Sequence, residues 1–220
     1  MEHRLIDQQL DNLRDKVLLL GGKAESAVQK AMKALSSRDS ELAQQVLDED
    51  KIINQMELEI DRLSVEILAL FQPAAHDLRL VISVAKITPV LERLADHAGN
   101  IAEAVLIIND EPDLRRFADL SIMSETAVEM LRSALDAFIA EDAELARKII
   151  TRDKVIDQSY KKVFSELIGV IINDPTTTTS AAQLLFVAKH LERIGDYVKD
   201  ICELTVYLAE ASIIKHSRKH

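Results

Sequence analysis

The sequence predicts an all-α protein made of two tandem three-helix bundles related by an internal repeat. Three observations carry that expectation. The chain of 220 residues holds only five Gly and four Pro, so turns are scarce and residues suited to long helices dominate. Apolar residues recur at alternating steps of three and four, the period of an amphipathic helix, and no stretch sustains a two-residue alternation. A thirteen-residue segment is written twice, at 91–103 and again at 191–203.

The elements follow in order. The first helix is expected over 4–36, on the spine Val17, Leu20, Ala24, Ala27, Ala31 and Leu35. The second, over 39–71, opens at Asp39, an N-cap residue, with Glu41 at the positive end of the dipole. A break at Gln72-Pro73 separates it from a third helix over 75–109. Asn109-Asp110-Glu111-Pro112 joins the copies, which predicts units at 1–110 and 111–220. In the second unit the spine returns as Leu120, Met123, Ala127, Met130, Ala134 and Phe138, within a fourth helix over 113–139. The fifth, over 142–172, opens at Asp142 with Glu144 in its first turn. Asn173-Asp174-Pro175 and the Thr176–Thr179 capping loop precede the sixth, over 177–213. Gly21-Gly22 and Pro89 lie inside helices. Close packing or a kink explains the first, and Pro89 must drop the bond to Ala85 and bend the third helix.

Composition narrows the function. A formal charge of −10 argues against a nucleic-acid partner, and the basic end (Lys215, His216, Arg218, Lys219, His220) reads as a solvated terminus. Cys202 is the single cysteine, so a reducing compartment is expected. Met1 to Leu10 is polar, unlike a signal peptide, and no apolar run approaches a bilayer span. A cytoplasmic protein without direct membrane insertion is the expectation.

The duplicated segment reads Leu91-Glu92-Arg93-Leu94-Ala95-Asp96-His97-Ala98-Gly99-Asn100-Ile101-Ala102-Glu103 in its first copy. The second reads Leu191-Glu192-Arg193-Ile194-Gly195-Asp196-Tyr197-Val198-Lys199-Asp200-Ile201-Cys202-Glu203. On a helix, Glu192, Asp196, Asp200 and Glu203 fall within an arc of roughly 80°. Glu92, Asp96, Asn100 and Glu103 do the same. Each set is expected as a column on the face turned from the core. A solvated acidic face is the ordinary explanation, and Lys189–Glu192 and Lys199–Asp196 pairs suit it. Like charges four residues apart nevertheless repel, twice over and with no structural return. A bound cation removes that cost, and carboxylates suit hard ions such as magnesium, manganese, calcium or iron. Asp50 with Asn54, and Asp153 with Asp157, sit one turn apart in the preceding helices and are candidate ligands from a facing helix. His97 and His190 lie off the arc and are expected at the surface. No phosphate loop, Cys/His/Asp constellation or nucleophile motif points to catalysis.

With these residues in view, Leu91 to Asp96 and Leu191 to Asp196 resemble the paired E/D-x-x-x-D motifs of the PhoU family. Gln72-Pro73-Ala74-Ala75-His76-Asp77-Leu78-Arg79-Leu80-Val81, Asp50-Lys51 and Asp153-Lys154 are similar to that family as well, so the resemblance covers essentially the whole chain. It implies two three-helix bundles and a cytoplasmic regulator of phosphate uptake that represses the phosphate-starvation response. Its implied partners are the ATPase subunit of the phosphate ABC transporter and a sensor histidine kinase, and it implies a homodimer. It also implies metal ions, in some members iron clusters, with manganese, magnesium, zinc and nickel left open. By position the ligands are Glu92, Asp96, Glu192 and Asp196, followed by Asp50, Asn100, Asp153, Asp157 and Asp200. Ala95 in place of Gly195, Pro89 and Asn100 depart from the pattern and rank the first column behind the second. A carboxylate-bridged di-metal oxidase and a purely structural scaffold are the alternatives. The former normally needs inward Glu-x-x-His motifs that this chain lacks.

Overall fold

A computed structural model describes residues 5–114 and 118–214. The basic end from Lys215 onward and the first four residues of the polar N-terminus lie outside them. Six long α-helices run in sequence: α1 (Leu5–Ser37), α2 (Ser40–Phe71), α3 (Ala75–Asn109), α4 (Ala118–Ala140), α5 (Ala143–Asn173) and α6 (Thr178–Glu210), with a 3-10 turn (Pro175–Thr177) before the last. The breaks fall where the sequence places them, and the ends move by a few residues. The sixth helix stops at Glu210 rather than 213.

The caps are local chemistry. Asp39 Oδ1 accepts from the Leu42 amide and Asp142 Oδ1 from the Leu145 amide, each at 2.9 Å. Asp174 accepts from the amide and hydroxyl of Thr176 at 3.1 and 2.6 Å, which winds the 3-10 turn. Just before Asp39 and Asp142, Arg38 and Glu141 take left-handed backbone angles (φ 53° and 52°). Both are held by other contacts. The Arg38 guanidinium donates to the carbonyls of Ile108, Asn109 and Glu111 at 2.8 to 3.1 Å, closing the end of α3. Glu141 accepts from Arg14 at 3.1 Å and pairs with His76 Nε2 at 2.7 Å, tying the second half to α1 and α3.

Within each half, the three helices all pack on one another, and the halves meet through α3 against α6 and α1 against α4. The apolar spine of α1 is buried from Val17 to Ala31, and the whole spine of α4 from Leu120 to Phe138 is buried. The two bundles share one continuous apolar core. Gly21 lies in the α1–α4 crossing, where a Cβ would meet Leu135 Cδ1 at 2.6 Å. Close packing thus explains Gly21, whereas a Cβ on Gly22 would meet nothing within 4 Å. α3 continues through Pro89 as one helix. Among the described residues, no helix is long and apolar enough to cross a membrane.

α3 and α6 run antiparallel. Arg79, early in α3, donates to the Leu208 carbonyl late in α6 at 3.2 Å, while His97 meets His190 near the opposite ends. This seam corrects the expectation for the histidines. His97 and His190 are half-buried between the bundles, with Nδ1 atoms 2.9 Å apart, and the His97 ring stacks on Tyr197 at 5.4 Å. Residues 97 and 197 occupy matching places in the two signatures, so the stack lies where the repeats face each other.

Candidate cation sites along the helix boundaries

Each acidic column stands at the edge of a helix pair. Glu92 and Asp96 on α3 face Asp50 and Glu57 on α2, while Asp196 on α6 faces Asp153 on α5. Asp96, Asn100 and Glu103 are exposed as periodicity suggests, whereas the second column is less outward. Glu192 is only 17% exposed and Asp196 35%, and Asp153 is buried at 4%.

The first boundary is uncompensated. Burial pushes the Glu92 carboxyl up to about 7, and the neighbouring charges of Asp96, Glu57 and Asp50 push the same way against a weaker pull from Arg93. Asp96, whose side chain reaches the surface, is raised by partial burial of its carboxyl and then by Asp50. Glu57 is raised by burial, then by Asp61 and Asp96. Asn54 donates from Nδ2 to Asp50 Oδ2 at 2.9 Å, and its Oδ1 is buried without a hydrogen-bond partner. Asn100 turns to its own helix, donating to the Asp96 carbonyl at 2.9 Å. Glu57 is a member that the sequence reading missed. Its spacing from Asp50 and Asn54 on one face of α2 was the available signal, but the repeat hides it, because Tyr160 stands at the matching place on α5.

The second boundary is neutralised from within. Lys199 pairs with Asp153 Oδ2 across the helices and with Asp196 Oδ1 at 2.7 Å on its own helix. Lys189 pairs with Glu192 at 2.6 Å, and Arg193 with Asp196 at 3.3 Å. Burial disfavours the Lys199 charge, yet the hydrogen bonds to Asp153 and Asp196 hold its pKa well above the usual lysine range. Burial pushes Asp153 upward against the pull of Lys199. Asp153 reaches this depth because residue 195 is glycine: a Cβ there would meet Asp153 Oδ1 at 2.7 Å. Ala95 fills the matching place in the first half, and Asp50 there is half-buried. Asp157 is half-buried and adds its charge to the Asp153 environment. Asp200 stands apart from this group. It lines a pocket of about 380 Å³ with Lys86, Val90, Glu203, Leu204 and Tyr207, at the seam with α3.

The donor set of the first boundary is all oxygen, mutually repelling, and includes the orphaned Asn54 Oδ1, which fits a hard cation. Among the described residues, no three Asp, Glu, His or Cys side chains converge on one point as they stand. A cation there would draw the carboxylates together.

Fold and site define an all-helical repeat protein whose acids line the boundaries of its second and third helices in each half. The profile of the PhoU domain matches residues 17–105 and again 120–205. A protein of Aquifex aeolicus called a phosphate-specific transport system accessory protein PhoU homolog is 35% identical over 209 residues, covering 95% of each chain. The accessory protein PhoU of Escherichia coli K12 is 34% identical over 208 residues, covering 94% of this chain and 86% of that protein. The crystal structure of PhoU from Pseudomonas aeruginosa matches at a TM-score of 0.90 with 38% identity, over 94% of this chain and 99% of that one. That of the phosphate transport system regulatory protein PhoU from Streptococcus pneumoniae matches at 0.89 with 35% identity, over 95% and 99%. The chain belongs to the PhoU family.

Proposed function

We propose that this protein is a non-enzymatic, cytoplasmic regulator of phosphate uptake and phosphate homeostasis. In this reading it represses the phosphate-starvation response by engaging the ATPase subunit of the phosphate ABC transporter and a sensor histidine kinase, and it works as a homodimer. The full-length likeness to proteins called accessory and regulatory proteins of phosphate transport carries the reading. The units of the repeat are taken as 1–110 and 111–220, each enclosing one match to the domain profile.

The second part of the proposal is a cation on the first boundary. Asp50, Glu57, Glu92 and Asp96 would hold it, with the Asn54 carbonyl oxygen available as a neutral donor. Bound there, a hard divalent or iron ion supplies positive charge that cancels the repulsion among these carboxylates. Meanwhile the chain's own residues do the positioning. Asn54 orients Asp50 through its amide at 2.9 Å, and Asn100 reinforces the turn of α3 below Asp96. With its acids neutralised, α2 is fixed against α3, and the surface made by these two helices becomes rigid enough to be recognised by a partner.

The test is affinity capture with the intact protein from cells grown in ample phosphate, scored for the transporter ATPase and the sensor kinase. Recovery of both is expected, with weaker recovery by Glu92→Gln/Asp96→Asn. Recovery of neither would contradict the regulatory reading.

A further inference from the structure

The two signatures align residue for residue, so places 89 and 99 in the first half match 189 and 199 in the second. The first pair is Pro89 and Gly99, which offer no charge. The second is Lys189 and Lys199, and both are engaged with column acids. The contrast is sharpest at 199. Lys199 spans the α5–α6 boundary, joining a buried aspartate on one helix to a column aspartate on the other. An ammonium there supplies, between the two helices, the positive charge that the first boundary would need from an added ion. Asp153 also has an Oδ1 with no hydrogen-bond partner above Gly195. Taking Lys199 away therefore leaves a buried carboxylate without compensation, which is costly unless another cation arrives.

We infer that Lys199 is the resident cation of the second column, so that an added metal ion loads only the first. This rests on the cation reading proposed above. It makes the two halves chemically unequal, although the fold repeats: one boundary responds to metal and the other is permanently closed. It also explains the depth of Asp153. A permanent internal counter-ion lets that carboxylate lie fully under α6, whereas the half-buried Asp50 stays open to exchangeable ions.

The probe is manganese, added to the full-length chain after chelator treatment. Metal retained after desalting and the thermal midpoint are read together. Wild type is expected to retain manganese, Glu92→Gln/Asp96→Asn to lose it, and Asp196→Asn to keep it. Lys199→Ala is expected to melt lower without metal, to recover with manganese, and to roughly double the ion retained per chain. Lys199→Arg should behave as wild type. Gly99→Lys, which has room because a Cβ at 99 would meet only Leu47 at 3.8 Å, should stop uptake by the first column. It also answers the question if Lys199→Ala does not fold. Equal loading of both columns in wild type overturns the inference and leaves the cation reading standing. Uptake by Lys199→Ala but not by wild type upholds Lys199 and ends the reading of the first column. A Lys199→Ala protein that takes up no manganese, or whose midpoint manganese does not restore, overturns the inference, as does full uptake by Gly99→Lys.

Discussion

The Nδ1 atoms of His97 and His190 meet at 2.9 Å across the seam between the bundles, so one ring must donate the proton that the other accepts. The accepting ring cannot take a proton on Nδ1 without breaking that bond. Burial, the partner ring and Arg193 pull His97 down to about 4, and burial lowers His190 while Glu103 opposes the shift. A histidine with a lowered folded pKa costs stability as pH falls: between about 6.5 and 4 the unfolded chain takes up a proton that the folded one refuses. NMR titration of His97 should give a midpoint near 4. A midpoint near 6.5 would mean that the ring is solvated and the seam open.

Glu92 acts with the opposite sign. Its folded pKa, about 7, lies above the unfolded value of 4.5, so the folded chain holds a proton that the unfolded chain has released. Stability therefore falls as pH rises from about 4.5 through 7, and is lower above that window. Discounted for solvent screening, the effect is about 1–2 kcal/mol. In metal-free protein, urea unfolding at pH 5.5 and 8 should show a difference that Glu92→Gln reduces. The histidine pair works against this trend below about pH 6.5, so the comparison between wild type and variant isolates Glu92. An unchanged pH dependence in the variant would contradict the repulsive cluster.

Two glycines in helices should respond to alanine with opposite signs. Gly195→Ala places a methyl 2.7 Å from Asp153 Oδ1 and 2.8 Å from Ile156 Cδ1, forcing α5 and α6 apart at a loss of about 1–3 kcal/mol. Gly22→Ala meets nothing and should gain about 0.5–1 kcal/mol from helix propensity. Denaturant midpoints of the two single variants check both signs.

Arg38→Ala removes the donor that closes the end of α3 through three carbonyls. The expected loss is about 1–2 kcal/mol. Hydrogen exchange should rise first at 105–111, and uniform exchange along α3 would contradict the cap.

Most of the architecture was legible in the chain because its signals are local. Asp39 and Asp142 mark helix starts through bonds to amides three residues on, and Gln72-Pro73 and Asp174-Pro175 stop helices by covalent geometry. The spine of α4 lies buried as its period requires. Contacts between distant helices were not legible. Periodicity gives the angle of His97 on α3 but not the presence of α6 above it. The Lys199–Asp196 pair follows from spacing on one helix, whereas the link to Asp153 requires knowing that α5 lies beside Gly195. The same limit reordered the two columns. Residue identity ranks the second ahead, because it has Asp200 and Gly195. The charges in space favour the first, because Glu57 joins it and, among the described residues, Arg93 rather than a bridging lysine opposes its acids.

Anomalous diffraction at the manganese edge, from crystals of the full chain grown with manganese, tests the central claim most directly. The account predicts a peak between α2 and α3 bounded by Glu92, Asp96 and Asp50, and none beside Asp153 and Lys199. An absence of any peak along α2 and α3, with these carboxylates turned apart into solvent, would contradict it.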